Sequence, residues 1–307
     1  MHCASCRSAS EVHAGRCIFL PFRSGRSIIV GSLTNKHVQL YAILSLRMPS
    51  EYEDAVQGQD LYNHFGNRVV ESRTTNGQLV AVKVKPQGAF VRSEAEMMHF
   101  ASQQPNILAP RVLGCYDVEP DIIATVTNVI PGQSLDKVWH LMDKSQRNSI
   151  KLQLKEQVQL YRRHTQSYIG RINHQETLNF FDRLDFHFMG PFESEEEFNN
   201  WCLERVKSPI ARSLWKRLLP GMRAQSPRFV LTHGDLSARN IMVHEGKISG
   251  IVDWEYSGFF PEYMEYALAT VVHDCIEDWW VPVLKEVLEP CGFRRSRFIA
   301  ATRNRGW

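Results

Sequence analysis

The stretch 231–256, LTHGDLSARNIMVHEGKISGIVDWEY, decides how the rest of the 307-residue chain is read. Three polar residues in it have a spacing that makes sense together around a metal-bound phosphate. Asp235 sits in His233-Gly234-Asp235, and Asn240 follows at the entry to the apolar run Ile241-Met242-Val243. A second apolar run, 248–252, leads to Asp253. Between the runs, His244-Glu245-Gly246-Lys247 reads as a hairpin turn. The midpoint of positions 240 and 253 falls in that turn, so the spacing predicts an antiparallel hairpin with Asn240 and Asp253 together at its open end, beside Asp235. An amide oxygen and a carboxylate suit Mg²⁺, which takes one or two protein oxygens together with phosphates and water. A lone Asp in a loop would read as a solvated turn; three roles in matching order read as a site.

His-Gly-Asp-x-x-x-x-Asn, a short hairpin and Asp-Trp-Glu resemble the catalytic core of the aminoglycoside phosphotransferase and choline kinase-like family, relatives of the protein kinases. The resemblance extends to a fungal branch in which the metal aspartate is followed by Trp-Glu and then a Pro-Glu-Tyr segment, here Pro261-Glu262-Tyr263. It implies that Asp235 is the catalytic base for an acceptor hydroxyl, while Asn240 and Asp253 hold Mg²⁺ against the phosphates of ATP. It also implies an α+β, bilobal protein-kinase-like fold, with a sheet-rich small lobe and a mainly helical large lobe. The implied activity is ATP- and Mg²⁺-dependent transfer of the γ-phosphoryl group to a hydroxyl of a small molecule. A catalytically weak nucleotide-binding pseudokinase or scaffold is the first rival, and a protein kinase the second. Protein kinases carry His-Arg-Asp, Asp-Phe-Gly and a later Ala-Pro-Glu. Here Gly234 replaces the Arg and Trp254-Glu255 replaces Phe-Gly. Gly234 has no side chain to pair with a phosphorylated activation loop, so no such switch is expected, and a small-molecule acceptor is expected over a protein.

Composition bounds the alternatives. The chain is 43% apolar with a formal net charge of +3. That length and apolar content can bury one or two cores. The near balance and the lack of a long basic stripe give no reason to expect nucleic acid as a partner. No run of about 18 uninterrupted apolar residues appears, so no membrane span is expected. Seven scattered cysteines suit a reducing compartment, and the expected location is cytoplasmic. Residues 1–50 differ from the rest: Arg-rich, Ser-rich and nearly free of acid, which is also the composition of a mitochondrial transit peptide. Their poor amphipathic pattern favours a disordered or atypical extension instead. Nothing in the sequence fixes the oligomeric state.

Residues 51–130 read as the small lobe. The runs 68–71 and 79–84 flank Thr75-Asn76-Gly77, and Asn-Gly between β-rich runs is a hairpin signal. Alternation places Lys83 on one face and Val82 and Val84 on the other. Val80-Ala81-Val82-Lys83 resembles the strand lysine of the kinase superfamily, which contacts the α- and β-phosphates. Its expected partner is a Glu on the next helix. Glu94, Met97, Met98 and Ala101 share the face that would pack on the sheet, whereas Glu96 lies on another face and reads as a capping-box partner of Ser93. Glu94 is therefore chosen for the pair with Lys83, with Glu96 as the alternative. The phosphate-covering turn is sought at 63–68, where the single Gly66 is an ordinary hairpin feature. The β-branched run 122–130 stops at Pro131-Gly132 and resembles the family's hinge, which implies adenine contacts from the Asn128 carbonyl and the Ile130 amide.

Residues 131–307 read as the large lobe. Helices are expected over 134–139 and 145–165, the second with the apolar stripe Ile150, Leu154, Val158 and Tyr161. The acidic run after Ser194 reads as a first helical turn, continuing through 201–219 as far as Pro220-Gly221. Beyond Trp254, Glu255, Glu262, Glu265, Asp274, Glu277 and Asp278 alternate with Tyr256, Tyr263, Trp279 and Trp280. Carboxylates among aromatic faces would suit a cationic acceptor such as an amino alcohol or amino sugar; solvated helix faces and core aromatics are the plainer explanation.

Overall fold

A computed structural model describes residues 56–64, 67–86, 92–119, 122–182, 187–222, 228–272 and 277–306. The 1–50 extension, Phe65 and Gly66 of the sought phosphate turn, and Asp274 lie outside the described residues.

The N-terminal part is a five-stranded antiparallel sheet. Its strands are β1 (Gln59–His64), β2 (Asn67–Arg73), β3 (Leu79–Pro86), β4 (Val112–Glu119) and β5 (Ile122–Asn128), in the order β1-β2-β3-β5-β4. The β2–β3 hairpin turns at Gly77, whose φ of +82° is open to glycine and strained for most residues. Along β3, Val80 and Val82 are buried with Tyr116, Ala124 and Val126 on one face. The period of two sends Lys83 and Lys85 together to the other face. That face meets helix α1 (Arg92–Ser102), whose Glu94 reaches Lys83.

Met97, Met98 and Ala101 of α1 belong to the main core, which continues through the C-terminal helices. Ser93 lies inside α1 and is no cap: its hydroxyl accepts a 2.6 Å bond from the buried Arg171 guanidinium. The carboxylate of Glu96 accepts from Asn173 and Gln175. The capping box expected there is thus replaced by long-range bonds to the 171–175 loop.

Mostly helical structure follows. The helix Lys144–Tyr161 buries Ile150, Leu154, Val158 and Tyr161, and starts at an Asp143–Gln146 capping box. It stops short of 165, because Thr165 and Gln166 leave to pair with Val230 and Phe229. The helix expected across 201–219 is two helices, Glu195–Arg205 and Pro209–Leu218. Pro209 at the start of the second cannot continue the first, and Ser208 caps the new N-terminus by accepting from the Ala211 amide at 3.3 Å. Ser194 caps the first, accepting from the Glu197 amide at 3.1 Å. Among the described residues, no helix is long and apolar enough to cross a membrane.

Candidate active site

The buried strand Phe229–Thr232 carries the chain into His233-Gly234-Asp235. Gly234 has φ +88°, and a Cβ there would stand 2.6 Å from the Tyr256 carbonyl oxygen. Sterics therefore require glycine here, independently of any charge lost with the kinase arginine. Two amides of this turn, those of His233 and Gly234, donate to Glu265 Oε2 at 2.7 Å and Oε1 at 3.0 Å. Burial pushes the Glu265 carboxyl up to about 7, while those two amides pull it down. The His233 Nε2 lies 3.0 Å from the Val252 carbonyl, which requires a proton on that nitrogen. Nδ1 then accepts the Asp235 amide at 3.2 Å. Burial depresses the His233 pKa, so the ring works as a neutral link between loop and hairpin. Trp280 Nε1 donates to the Leu236 carbonyl at 2.8 Å. The Asp235 carboxylate, itself buried, accepts from Arg239 at 2.8 Å.

The hairpin has strands Ile241–His244 and Lys247–Ile251, with Glu245 at φ +50° and Gly246 at φ +74° forming the turn. Ile241 faces Ile251, and the Val252 amide donates to the Asn240 carbonyl at 2.8 Å, so residues 240 and 253 flank the open end. The Asn240 amide nitrogen donates to the Asp235 carbonyl at 3.0 Å. That bond fixes which end of the amide is nitrogen; the other end is an oxygen, a group that could ligate a cation. Asp253 adopts φ +65°, an uncommon backbone state for a residue with a side chain. Among the described residues no three His, Cys, Asp or Glu side chains gather as a metal cluster. An oxygen pair that leaves further positions to phosphate and water fits Mg²⁺ and does not fit a closed structural zinc site.

The third component comes from β3. Lys83 Nζ lies 2.8 Å from Glu94 Oε1 and 2.6 Å from Asp253 Oδ1. Burial works against the ammonium, but Asp253, Glu94 and Glu255 together hold it well above the usual lysine range. Burial likewise opposes the Asp253 carboxylate, yet Lys83 and Lys85 hold its pKa well below the usual range. The structure thus joins Lys83, Glu94 and Asp253 directly, and joins Asp235 to Asn240 through the main chain.

At the hinge, Asn128 and Arg111 exchange bonds: the Arg111 amide donates to Asn128 Oδ1 at 2.6 Å, and the Asn128 amide to the Arg111 carbonyl at 3.1 Å. Ile130 packs against Gly250, where an added Cβ would fall 2.6 Å from its Cγ2. Both side chains are therefore engaged within the fold.

Among the described residues, three of the carboxylates after Trp254 point to different partners: Glu255 turns to the lysines of β3, Glu265 to the 233–234 turn, and Glu262 to Arg162 at 3.3 Å. Trp279 stacks on Trp139, and Trp280 is buried. Three contributors are not singled out in the sequence, Arg239, Lys85 and Arg171, and Glu265 reads there with the acceptor-side carboxylates and not with the 233–235 turn. Arg239, four positions from Asp235 within the motif, and Lys85, one strand period from Lys83, carry a local signal; Arg171 carries none.

Comparison with known proteins adds the following. The phosphotransferase enzyme family matches residues 61–288. An aminoglycoside 3'-phosphotransferase of Escherichia coli is 34% identical over 97 residues, 32% of this chain and 30% of that protein. One of Salmonella typhimurium is 27% identical over 113 residues, 36% of each chain. The chain thus spans about a third of the length of the curated relatives it matches. In fold it is similar to aminoglycoside phosphotransferase APH(4)-Ia, with TM-score 0.55 at 12% identity over 89% of this chain and 90% of that one. It is also similar to a putative fructosamine-3-kinase of Thermobifida fusca YX-ER1, with TM-score 0.51 at 14% identity over 75% and 78%. A thermostable APH(4)-Ia mutant was solved in a ternary complex with AMP-PNP and hygromycin B; its TM-score is 0.52 at 14% identity, over 80% and 83%.

Proposed function

This chain belongs to the phosphotransferase enzyme family, and from that premise we propose that it transfers the γ-phosphoryl group of ATP to a hydroxyl of a small cationic molecule. The observation that carries the proposal is the position of Lys83 Nζ, 2.8 Å from Glu94 and 2.6 Å from Asp253, where β3, α1 and the catalytic hairpin meet. In this scheme Lys83, oriented by Glu94, binds the α- and β-phosphates. Asn240 and Asp253 would hold Mg²⁺, which when bound would supply charge neutralisation at the phosphates. Asp235 accepts the proton of the acceptor hydroxyl as the new oxygen–phosphorus bond forms and ADP leaves. The main-chain groups of Asn128 and Ile130 take the adenine. Held by hydrogen bonds on several sides, the 233–235 turn contributes by positioning rather than by movement.

The cationic acceptor rests on the company the chain keeps: its matched relatives are named for aminoglycosides, and a fold neighbour was solved with hygromycin B. ADP release should be measured across aminoglycosides, amino sugars and amino alcohols, with and without Mg²⁺. The expected result is Mg²⁺-dependent release above the ATP-only blank for at least one of these classes. Labelling of a generic protein mixture with no small-molecule turnover would overturn the proposal in favour of a protein kinase.

A further inference from the structure

Lys85 is only 1% exposed, and the phosphotransfer scheme gives it no task. Its Nζ lies 2.6 Å from Glu255 Oε2 and 3.5 Å from Glu94 Oε2. Lys83, two residues earlier on the same face, shares both partners: Glu94 at 2.8 Å and Glu255 at 3.8 Å, besides Asp253 at 2.6 Å. Strand β3 therefore sets two ammonium groups against three carboxylates. The nearby Arg171 guanidinium feels Glu94 and Glu255 only through space: its hydrogen bonds go to the Ser93 hydroxyl and to the main-chain oxygens of Ser257 and Glu255, so neither carboxylate has it as a contact partner.

Resting on the nucleotide reading, we infer that Lys85 is a positioning residue of this site: by holding Glu255 and the second oxygen of Glu94, it frees Lys83 for the nucleotide phosphates and Asp253 for the metal. The reason is electrostatic. A buried carboxylate that loses its only cation is strongly destabilised. Were Lys83 the sole cation, Glu94, Asp253 and Glu255 would all compete with phosphate for it. Turning Lys83 toward phosphate would then strand Glu255 and leave Glu94 poorly paired. With Lys85 present, Glu255 keeps a 2.6 Å partner throughout, and Glu94 keeps a cation at 3.5 Å. Glu255, which occupies the glycine position of the protein-kinase motif, thereby ties the metal-aspartate segment to the small lobe.

Equilibrium binding of ATP with Mg²⁺ tests this, alongside the melting midpoint of each variant. Lys85→Met leaves Glu255 to Lys83 and should weaken ATP binding about tenfold, roughly the effect of one lost charge-assisted contact. Adding Glu255→Gln removes the stranded charge and should restore affinity to within about threefold of the wild type. A merely structural Lys85 lowers the midpoint and leaves the affinity of the folded protein alone; unchanged affinity in Lys85→Met, or a double variant no better than the single one, overturns the inference. Should Lys85→Met not fold, the double variant decides: near-normal ATP affinity supports the inference and loss of binding refutes it. A wild-type chain that does not bind ATP overturns the nucleotide reading, and this inference with it. Wild-type binding shared equally by all the variants overturns this inference alone.

Discussion

The two sides of the candidate site hold their polar groups by different physics. On the β3 side, Lys83, Lys85, Glu94, Asp253 and Glu255 satisfy one another as ions. On the catalytic-loop side, Glu265, His233, Asn240 and Trp280 tie down main-chain groups. Ion partners can be exchanged when a charged ligand arrives, because phosphate replaces carboxylate around an ammonium. A turn fixed through its backbone amides has no such exchange open to it. Under the proposed function, the lysine side can reorganise around a nucleotide, whereas the loop side holds the proposed base in one place.

Substitutions can break or sharpen this contrast. The largest effect is expected from Asp235→Asn, which keeps the shape and removes the base. Turnover should fall about 10³-fold, the usual worth of a general base, with ATP affinity nearly intact because Asp235 is not among the nucleotide contacts. Steady-state rates with equilibrium ATP binding check it, and a rate within tenfold of the wild type would sink the assignment.

Next comes Glu265→Gln. The His233 and Gly234 amides donate to different carboxylate oxygens, and Gln replaces one of those oxygens with an NH₂ donor, so one buried N–H is left facing a donor at a cost of about 1–3 kcal/mol. The melting midpoint and turnover should both drop. The pH dependence has a definite sign. With Glu265 raised from 4.5 to about 7 in the folded chain, the folded state keeps a proton that the unfolded state loses as pH rises between those values. Its contribution to stability therefore falls with rising pH across that window. The midpoint difference between wild type and Glu265→Gln should narrow over the same range; a constant difference would contradict the buried-acid account.

The smallest effect is expected from Arg239→Ala. Its bond to Asp235 is charge-assisted, but the Arg239 side chain is 36% exposed, and solvent weakens the pair. Turnover should fall by about fivefold to tenfold, with ATP affinity unchanged. A loss as large as that from Asp235→Asn would show that the arginine does more than steady the carboxylate.

What could be read from the sequence follows the range of each interaction. The hairpin bringing Asn240 beside Asp253 is legible because its turn chemistry and two apolar runs are local. The contact of Lys83 with Glu94 rather than Glu96 follows from two periodicities, two along β3 and about 3.6 along α1. Lys85 shares the strand period with Lys83, yet its partner Glu255 lies 170 residues away, and no local pattern encodes that meeting. Glu265 is similar: its acidic neighbours suggested an acceptor surface, whereas burial against the 233–234 amides gives it a different use. The break between the two helices at 206–208 was readable from Ser208-Pro209, a cap followed by a residue suited to a first helical turn.

The most direct test of the central claim is the melting midpoint of the full chain with ATP, with and without Mg²⁺. At about 100 times its dissociation constant, a ligand stabilises the folded state by roughly 2.7 kcal/mol, a shift of a few degrees. The Lys83, Asn240 and Asp253 arrangement predicts a rise that needs Mg²⁺. A folded chain whose midpoint ignores ATP in both conditions would contradict it.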